Sequence, residues 1–118
     1  MKVSKNSIIY GSIANPTIIT FDEILYCVAD NNYTEIYTSI REKPFVFSAT
    51  LKETEEKLGD KRFYRINRGV LINIEYLSMF KNDKFHDVYL KNGSYFPVAT
   101  RRKAAFKRYM KNYKVMMN

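Results

Sequence analysis

Short stretches rich in β-branched and aromatic residues recur along the chain, each closed by Asn, Asp, Gly or Pro. They fall at residues 17–21, 24–29, 34–39, 45–49, 65–66 with 70–72, 77–80, 87–90 and 95–98. This spacing constrains the fold more than any other feature. A parallel pair of strands needs a crossover of a dozen or more residues, and steps of about ten residues from one stretch to the next leave no room for one. Antiparallel hairpins remain, so the sequence predicts a mainly β fold. Between the last two stretches, Lys91-Asn92-Gly93-Ser94 carries the Asn-Gly pair that favours a hairpin turn.

Two segments break the strand pattern and predict short helices. Thr50-Leu51-Lys52-Glu53 is a capping box, in which the Thr50 hydroxyl accepts from the Glu53 amide and the Glu53 carboxylate reaches back. Leu51 and Leu58 then share a face, and Gly59 is placed to end the helix. A second helix is expected after Thr100 and as far as about Tyr113, because Phe106, Tyr109, Met110 and Tyr113 follow the spacing of one apolar face. Arg102, Lys103, Lys107, Arg108, Lys111 and Lys114 fill the rest of it. That helix either docks on the sheet with solvated lysines or brings its first turn to a phosphate.

With 118 residues, 46% of them hydrophobic, and no linker, repeat or low-complexity segment, the chain is expected to form one domain over 1–118. The lone cysteine, Cys27, lies in the apolar run Ile24-Leu25-Tyr26-Cys27-Val28 and is expected to be a buried small hydrophobe. One Cys and one His cannot assemble a thiolate and imidazole zinc site, so no structural zinc is expected. No apolar run reaches the length of a membrane span, and the first ten residues lack a signal-peptide pattern, which places the protein in the cytoplasm with no membrane partner.

Twenty Lys and Arg against twelve Asp and Glu give a net charge of +8. Such an excess favours an anionic partner, nucleic acid or an acidic surface. Nine of the twelve acids lie in residues 20–60, whereas fourteen of the twenty basic residues lie from Lys61 onward. Catalysis has little support. His86, in the polar stretch Lys81-Asn82-Asp83-Lys84-Phe85-His86-Asp87, has the character of a surface residue, and no nucleophile motif or metal-ligand spacing accompanies it. The dispersed glycines Gly11, Gly59, Gly69 and Gly93 form no phosphate cradle, so no enzyme, cofactor or metal is expected.

Three polar clusters fit recognition better. Asp30-Asn31-Asn32-Tyr33 offers two amides and a phenol, either to a base edge or simply as a turn in which Asn tolerates left-handed backbone. Arg65-Ile66-Asn67-Arg68-Gly69 places two guanidiniums and an amide within five residues of an otherwise apolar pattern, and Arg grips guanine or phosphate bidentately. Thr100-Arg101-Arg102-Lys103 sets a hydroxyl and three cations at a helix start, where the helix dipole favours an anion.

Taken in order, these segments resemble the LytTR family, the DNA-binding domain of LytR/AlgR-type bacterial transcription regulators, from about residue 18 to 109. The resemblance rests on Asp22-Glu23-Ile24-Leu25-Tyr26, Asn32-Tyr33-Thr34, and Thr50-Leu51-Lys52-Glu53 with Glu56 and Leu58. It continues through Phe63-Tyr64-Arg65-Ile66-Asn67-Arg68-Gly69-Val70-Leu71-Ile72-Asn73, Asn92-Gly93 and Pro97-Val98.

The resemblance implies antiparallel strands in small stacked sheets with short helices, whose loops enter successive major grooves of double-stranded DNA at direct-repeat sites bound by two molecules. Asn31, Asn32, Tyr33, Asn67, Arg68, Thr100 and Arg101 then fall in the contacting loops. Lys52, Arg65, Arg102, Lys103 and Lys107 are expected at phosphates, and Asn31, Asn32, Asn67, Arg68 and Arg101 at bases. The chain departs from the family where His often stands and it has Asn67, and where Ser often follows and it has Gly69. The usual Ser-Arg after the last strand is Ala99-Thr100, followed by Arg101 and Arg102, which leaves the base-reading Arg open by one position. Relatives usually carry a receiver domain or a membrane segment. This chain shows neither, and is expected to be a stand-alone regulator or an output domain. The alternative to a transcription regulator is a non-enzymatic module that binds and modulates a regulatory protein.

Overall fold

The computed structural model describes residues 6–11, 14–80 and 87–117. The chain opens with a hairpin of β1 (Ser7–Gly11) and β2 (Pro16–Thr20), then forms a meander of β3 (Ile24–Asp30), β4 (Tyr33–Thr38) and β5 (Arg41–Phe47). Helix α1 (Leu51–Leu58) leads to a second hairpin, β6 (Phe63–Asn67) and β7 (Val70–Asn73). Strands β8 (Leu77–Phe80), β9 (Asp87–Leu90) and β10 (Tyr95–Pro97) follow, and the 3-10 turn Thr100–Arg102 leads into α2 (Lys103–Met117).

All the strand pairings are antiparallel, as the spacing predicts. They form a two-stranded sheet β1-β2, a five-stranded sheet β5-β4-β3-β7-β6 and a three-stranded sheet β10-β9-β8. The five-stranded sheet is closed by a non-local pairing, Tyr26↔Ile72, Cys27↔Leu71 and Val28↔Val70. Its central strands are apolar on both faces, so both faces need cover. Cys27, Ile36, Phe63 and Leu71 pack on one face against Ile8 and Ile19 of the first hairpin and Leu51 and Leu58 of α1. Tyr26, Ile66, Val70 and Ile72 pack on the other against Val88 and Leu90 of β9 and Phe106 of α2. The five-stranded sheet is therefore the middle layer of three.

Local chemistry sets the element ends. Thr50 Oγ1 accepts from the Glu53 amide at 3.1 Å, and Gly59 ends α1 in the left-handed region at φ +51°, which costs glycine no Cβ clash. The return half of the capping box is absent among the described residues, because the Glu53 side chain stays in solvent. The loop of Gly93, at φ +93°, joins β9 to β10, with the Leu90 amide donating to the Ser94 carbonyl. Strand β5 begins at Arg41, earlier than the predicted residue 45, and tolerates Pro44 because it lies at the sheet edge. The apolar face of α2 is fully engaged: Phe106 is buried, the Tyr109 hydroxyl donates to the Lys61 carbonyl, and the Tyr113 hydroxyl donates to Glu75 Oε1 at 2.7 Å.

Strand β1 was not predicted. Its Ile8-Ile9-Tyr10 run is too short to signal on its own, and it gains its place by pairing with β2 and burying Ile8. The buried Asn73 amide holds the start of β3 to the end of β7, donating to the Phe21 and Ile24 carbonyls and accepting from the Glu75 amide. Lys81, Lys84, Asp83 and His86, with the surface role expected for that His, lie outside the described residues.

Candidate nucleic-acid interface

Two of the three polar clusters are turns at the same end of the middle sheet, and the third, which follows β10, docks beside them. Asp30↔Tyr33 closes the β3–β4 hairpin, so Asn31 and Asn32 form its tip, and Thr34↔Phe47 brings the approach to α1 alongside. Val28↔Val70 places the start of β7, and so the β6–β7 turn, next to that tip. The Ala29 amide donates to the Gly69 carbonyl at 2.9 Å, which joins the two turns directly. Asn31 has φ +56°, a left-handed position that Asn tolerates better than other side chains. Asn31 and Asn32 are exposed, and Tyr33 is half exposed.

The cluster at residues 65–69 is a two-residue hairpin turn, Arg68-Gly69, in which Asn67 pairs with Val70 after a register shift. The Asn67 Oδ1 accepts from the Gly69 amide at 2.8 Å, the side-chain turn that Asn forms with its own backbone. The Arg65 guanidinium folds over the same turn. It donates to the Asn67 carbonyl at 3.3 Å and to the Arg68 carbonyl, and lies 3.7 Å from Glu55 Oε1. Arg65 is thus largely engaged within the protein, and its side chain is only 19% exposed.

The third cluster docks beside this turn. The Asn67 Nδ2 donates to the Pro97 carbonyl at 2.8 Å, the Ala99 amide to the Ile66 carbonyl at 2.9 Å, and the Arg102 Nη1 to the Arg65 carbonyl at 3.0 Å. Thr100 is not a helix cap. It opens the 3-10 turn, whose capping position is Ala99 with no side-chain bond, and the α-helix proper starts at Lys103.

Segments more than thirty residues apart in the chain therefore build one face. Asn31, Lys52, Arg65 and Arg68 line an open groove of about 450 Å³, with Thr50 and Gly69 in its wall. Lys52, Arg68 and Arg101 are exposed, and none has a hydrogen-bond or ion-pair partner for its side chain among the described residues. Asp30 at the hairpin tip is an exposed acid on this face, and Glu55 sits behind it against Arg65. Lys103 and the exposed Lys107 continue the basic surface along α2. The sequence pointed to Lys52 but not to Thr50 and Leu51 at the start of α1 as lining of the same groove; the Thr50 capping signal was the clue to them.

The face offers hydrogen-bond donors, amides and positive charge. Cys27, the sulfur nucleophile of the chain, is fully buried in the core, and burial pushes its thiol up to about 12. No helix among the described residues is long and apolar enough to cross a membrane.

Comparison with known proteins agrees with this architecture. The family model for the LytTr DNA-binding domain matches residues 15–111, enclosing the 18–109 stretch of the sequence resemblance. Among solved structures, the chain is similar to the LytTr DNA-binding domain of a Bacillus cereus protein described as a methyl-accepting/DNA response regulator. The TM-score is 0.74 at 17% identity, covering 91% of this chain and 98% of that one. No curated protein sequence matches the chain. With most of its length inside the family model and its fold shared with a solved LytTr domain, the chain belongs to the LytTr DNA-binding domain family.

Proposed function

We propose that this protein is a sequence-specific double-stranded DNA-binding transcription regulator, whose three loops enter the major groove and which binds direct-repeat sites as two molecules. The observation that carries this is the convergence of the 30–33, 67–69 and 100–102 loops on one face, with Lys52, Arg68 and Arg101 free to meet an anion. Free guanidiniums and amides at the tips of loops suit base edges, while cations on helices suit the phosphate backbone. Arg68, Arg101, Asn31 and Asn32 are the base readers in this scheme. Lys52 at the α1 N-terminus, with Lys103 and Lys107 on α2, holds phosphates and fixes orientation.

The two roles separate in a binding experiment. Arg68→Ala is expected to weaken binding to the preferred duplex by about 1 to 3 kcal/mol and to relax the preference at one base pair. Lys107→Ala is expected to weaken preferred and random duplexes alike. Equal losses on both duplexes for Arg68→Ala would show that Arg68 only contacts the backbone.

A further inference from the structure

The sequence makes Asn67 a base reader, but the structure engages both ends of its amide within the protein. To read adenine, an Asn donates from Nδ2 and accepts at Oδ1 at the same time. Here Nδ2 points at the Pro97 carbonyl, 2.8 Å away, and Oδ1 at the Gly69 amide, 2.8 Å away. Arg68 sits between two held points: its own carbonyl accepts from Arg65, and the amide of the next residue donates to Asn67. Its guanidinium, by contrast, has no partner among the described residues.

The bond to Pro97 reaches further. Pro97 ends β10, and the chain then passes through Ala99, bonded to Ile66, into the 3-10 turn that presents Arg101. Arg102, next in that turn, is tied back to the Arg65 carbonyl. Of the pair at 101 and 102, Arg102 is engaged and Arg101 has no side-chain partner among the described residues, which favours Arg101 as the outward-facing one. The two loops are therefore cross-braced at three points, and among the described residues the Asn67 amide is the side chain that both shapes the first loop and grips the approach to the second.

Resting on the base-reading roles proposed above for Arg68 and Arg101, we infer that Asn67 is a positioning residue that sets the spacing between these two side chains. It couples base preference at one position of the half-site to preference at another. Its contribution to recognition acts through Arg68 and Arg101 rather than through a base contact of its own. An arginine grips a guanine edge with two parallel hydrogen bonds, so a small shift of its loop weakens both bonds together.

The test is selection of bound sequences from a random duplex library with the full chain and four variants, each kept below its melting temperature as followed by circular dichroism. Arg68→Ala and Arg101→Ala should each flatten one separate position. Asn67→Ala should flatten both of these, each by about tenfold in base discrimination, and no third. Asn67→Asp keeps the acceptor for the Gly69 amide and loses the donor to Pro97, so it should spare the Arg68 position and flatten the Arg101 position. A third position lost in Asn67→Ala would make Asn67 a reader and overturn the inference, and so would unchanged preferences in both Asn67 variants. If instead the two arginine variants keep every preference, the base-reading roles fail and this inference fails with them.

Discussion

Arg65, Arg68, Arg101 and Arg102 are alike in sequence and unlike in place. The clusters that hold them were legible from composition and turn signals, because Arg, Asn and Gly interrupt apolar strand patterns visibly. Which side chain faces outward was not legible. It depends on the register shift between Arg65 and Asn67 and on bonds between segments some thirty residues apart, Asn67 to the Pro97 carbonyl and Arg102 to the Arg65 carbonyl. Arg65 and Arg102 are bound to backbone oxygens, while the Arg68 and Arg101 side chains have no partner among the described residues. Cys27 was legible, since a small apolar residue in an apolar run belongs inside. Burial raises its thiol from 9.0 to about 12, so the folded state holds the proton where the unfolded chain has released it. The stability this contributes is complete below about pH 9 and is lost as pH rises toward 12, at about 1.4 kcal/mol per pH unit for one proton. Urea midpoints taken from pH 7 to 11 should therefore fall more steeply in the parent than in Cys27→Ala, even though the variant starts less stable. Parallel slopes would mean that the thiol is not held protonated by the fold.

Helix α1 was the most legible element, because its start and stop are both encoded by side chains that satisfy backbone groups locally. Thr50 accepts from the Glu53 amide and Gly59 takes the left-handed end. Thr50→Ala should cost about 1 kcal/mol, as loss of an N-cap usually does, and Thr50→Ser should recover most of it. Thermal or urea melts measure both, and a Thr50→Ala protein as stable as the parent would show that the cap is idle. Strand β1 was illegible for the opposite reason. Its short apolar run forms no helix face or alternating strand, and it becomes a strand only because β2 pairs with it and Ile8 and Ile19 complete a core that α1 also enters. The early start of β5 has a similar origin: Thr38↔Arg41 extends the pairing, and Arg41 donates to the Lys43 and Pro44 carbonyls, which local propensity does not anticipate.

In the whole molecule, hairpins between sequence neighbours were legible from turn chemistry and the stacking of small sheets from the family resemblance, but the pairing that builds the middle sheet was not. Hairpins follow from turn chemistry between adjacent stretches, whereas the pairing of β3 with β7 joins strands on either side of α1 and is decided by tertiary burial on both faces of the sheet. That pairing matters for function, because it carries the β6–β7 turn to the β3–β4 tip. Charge shows the same contrast. The basic excess lies mainly after Lys61, yet the free cations of the face include Lys52 from the acidic half, brought in by α1. In the proposed function this face, with Arg68 and Arg101 on loops braced by the protein's own backbone, reads a defined DNA sequence rather than holding any polyanion. Selection of bound duplexes from random DNA by the unaltered protein at about physiological salt, where phosphate-only binding is weakened, tests this directly. Enrichment of a direct repeat with half-sites about one helical turn apart is the expected result. Uniform, salt-sensitive binding with no enriched sequence would contradict it.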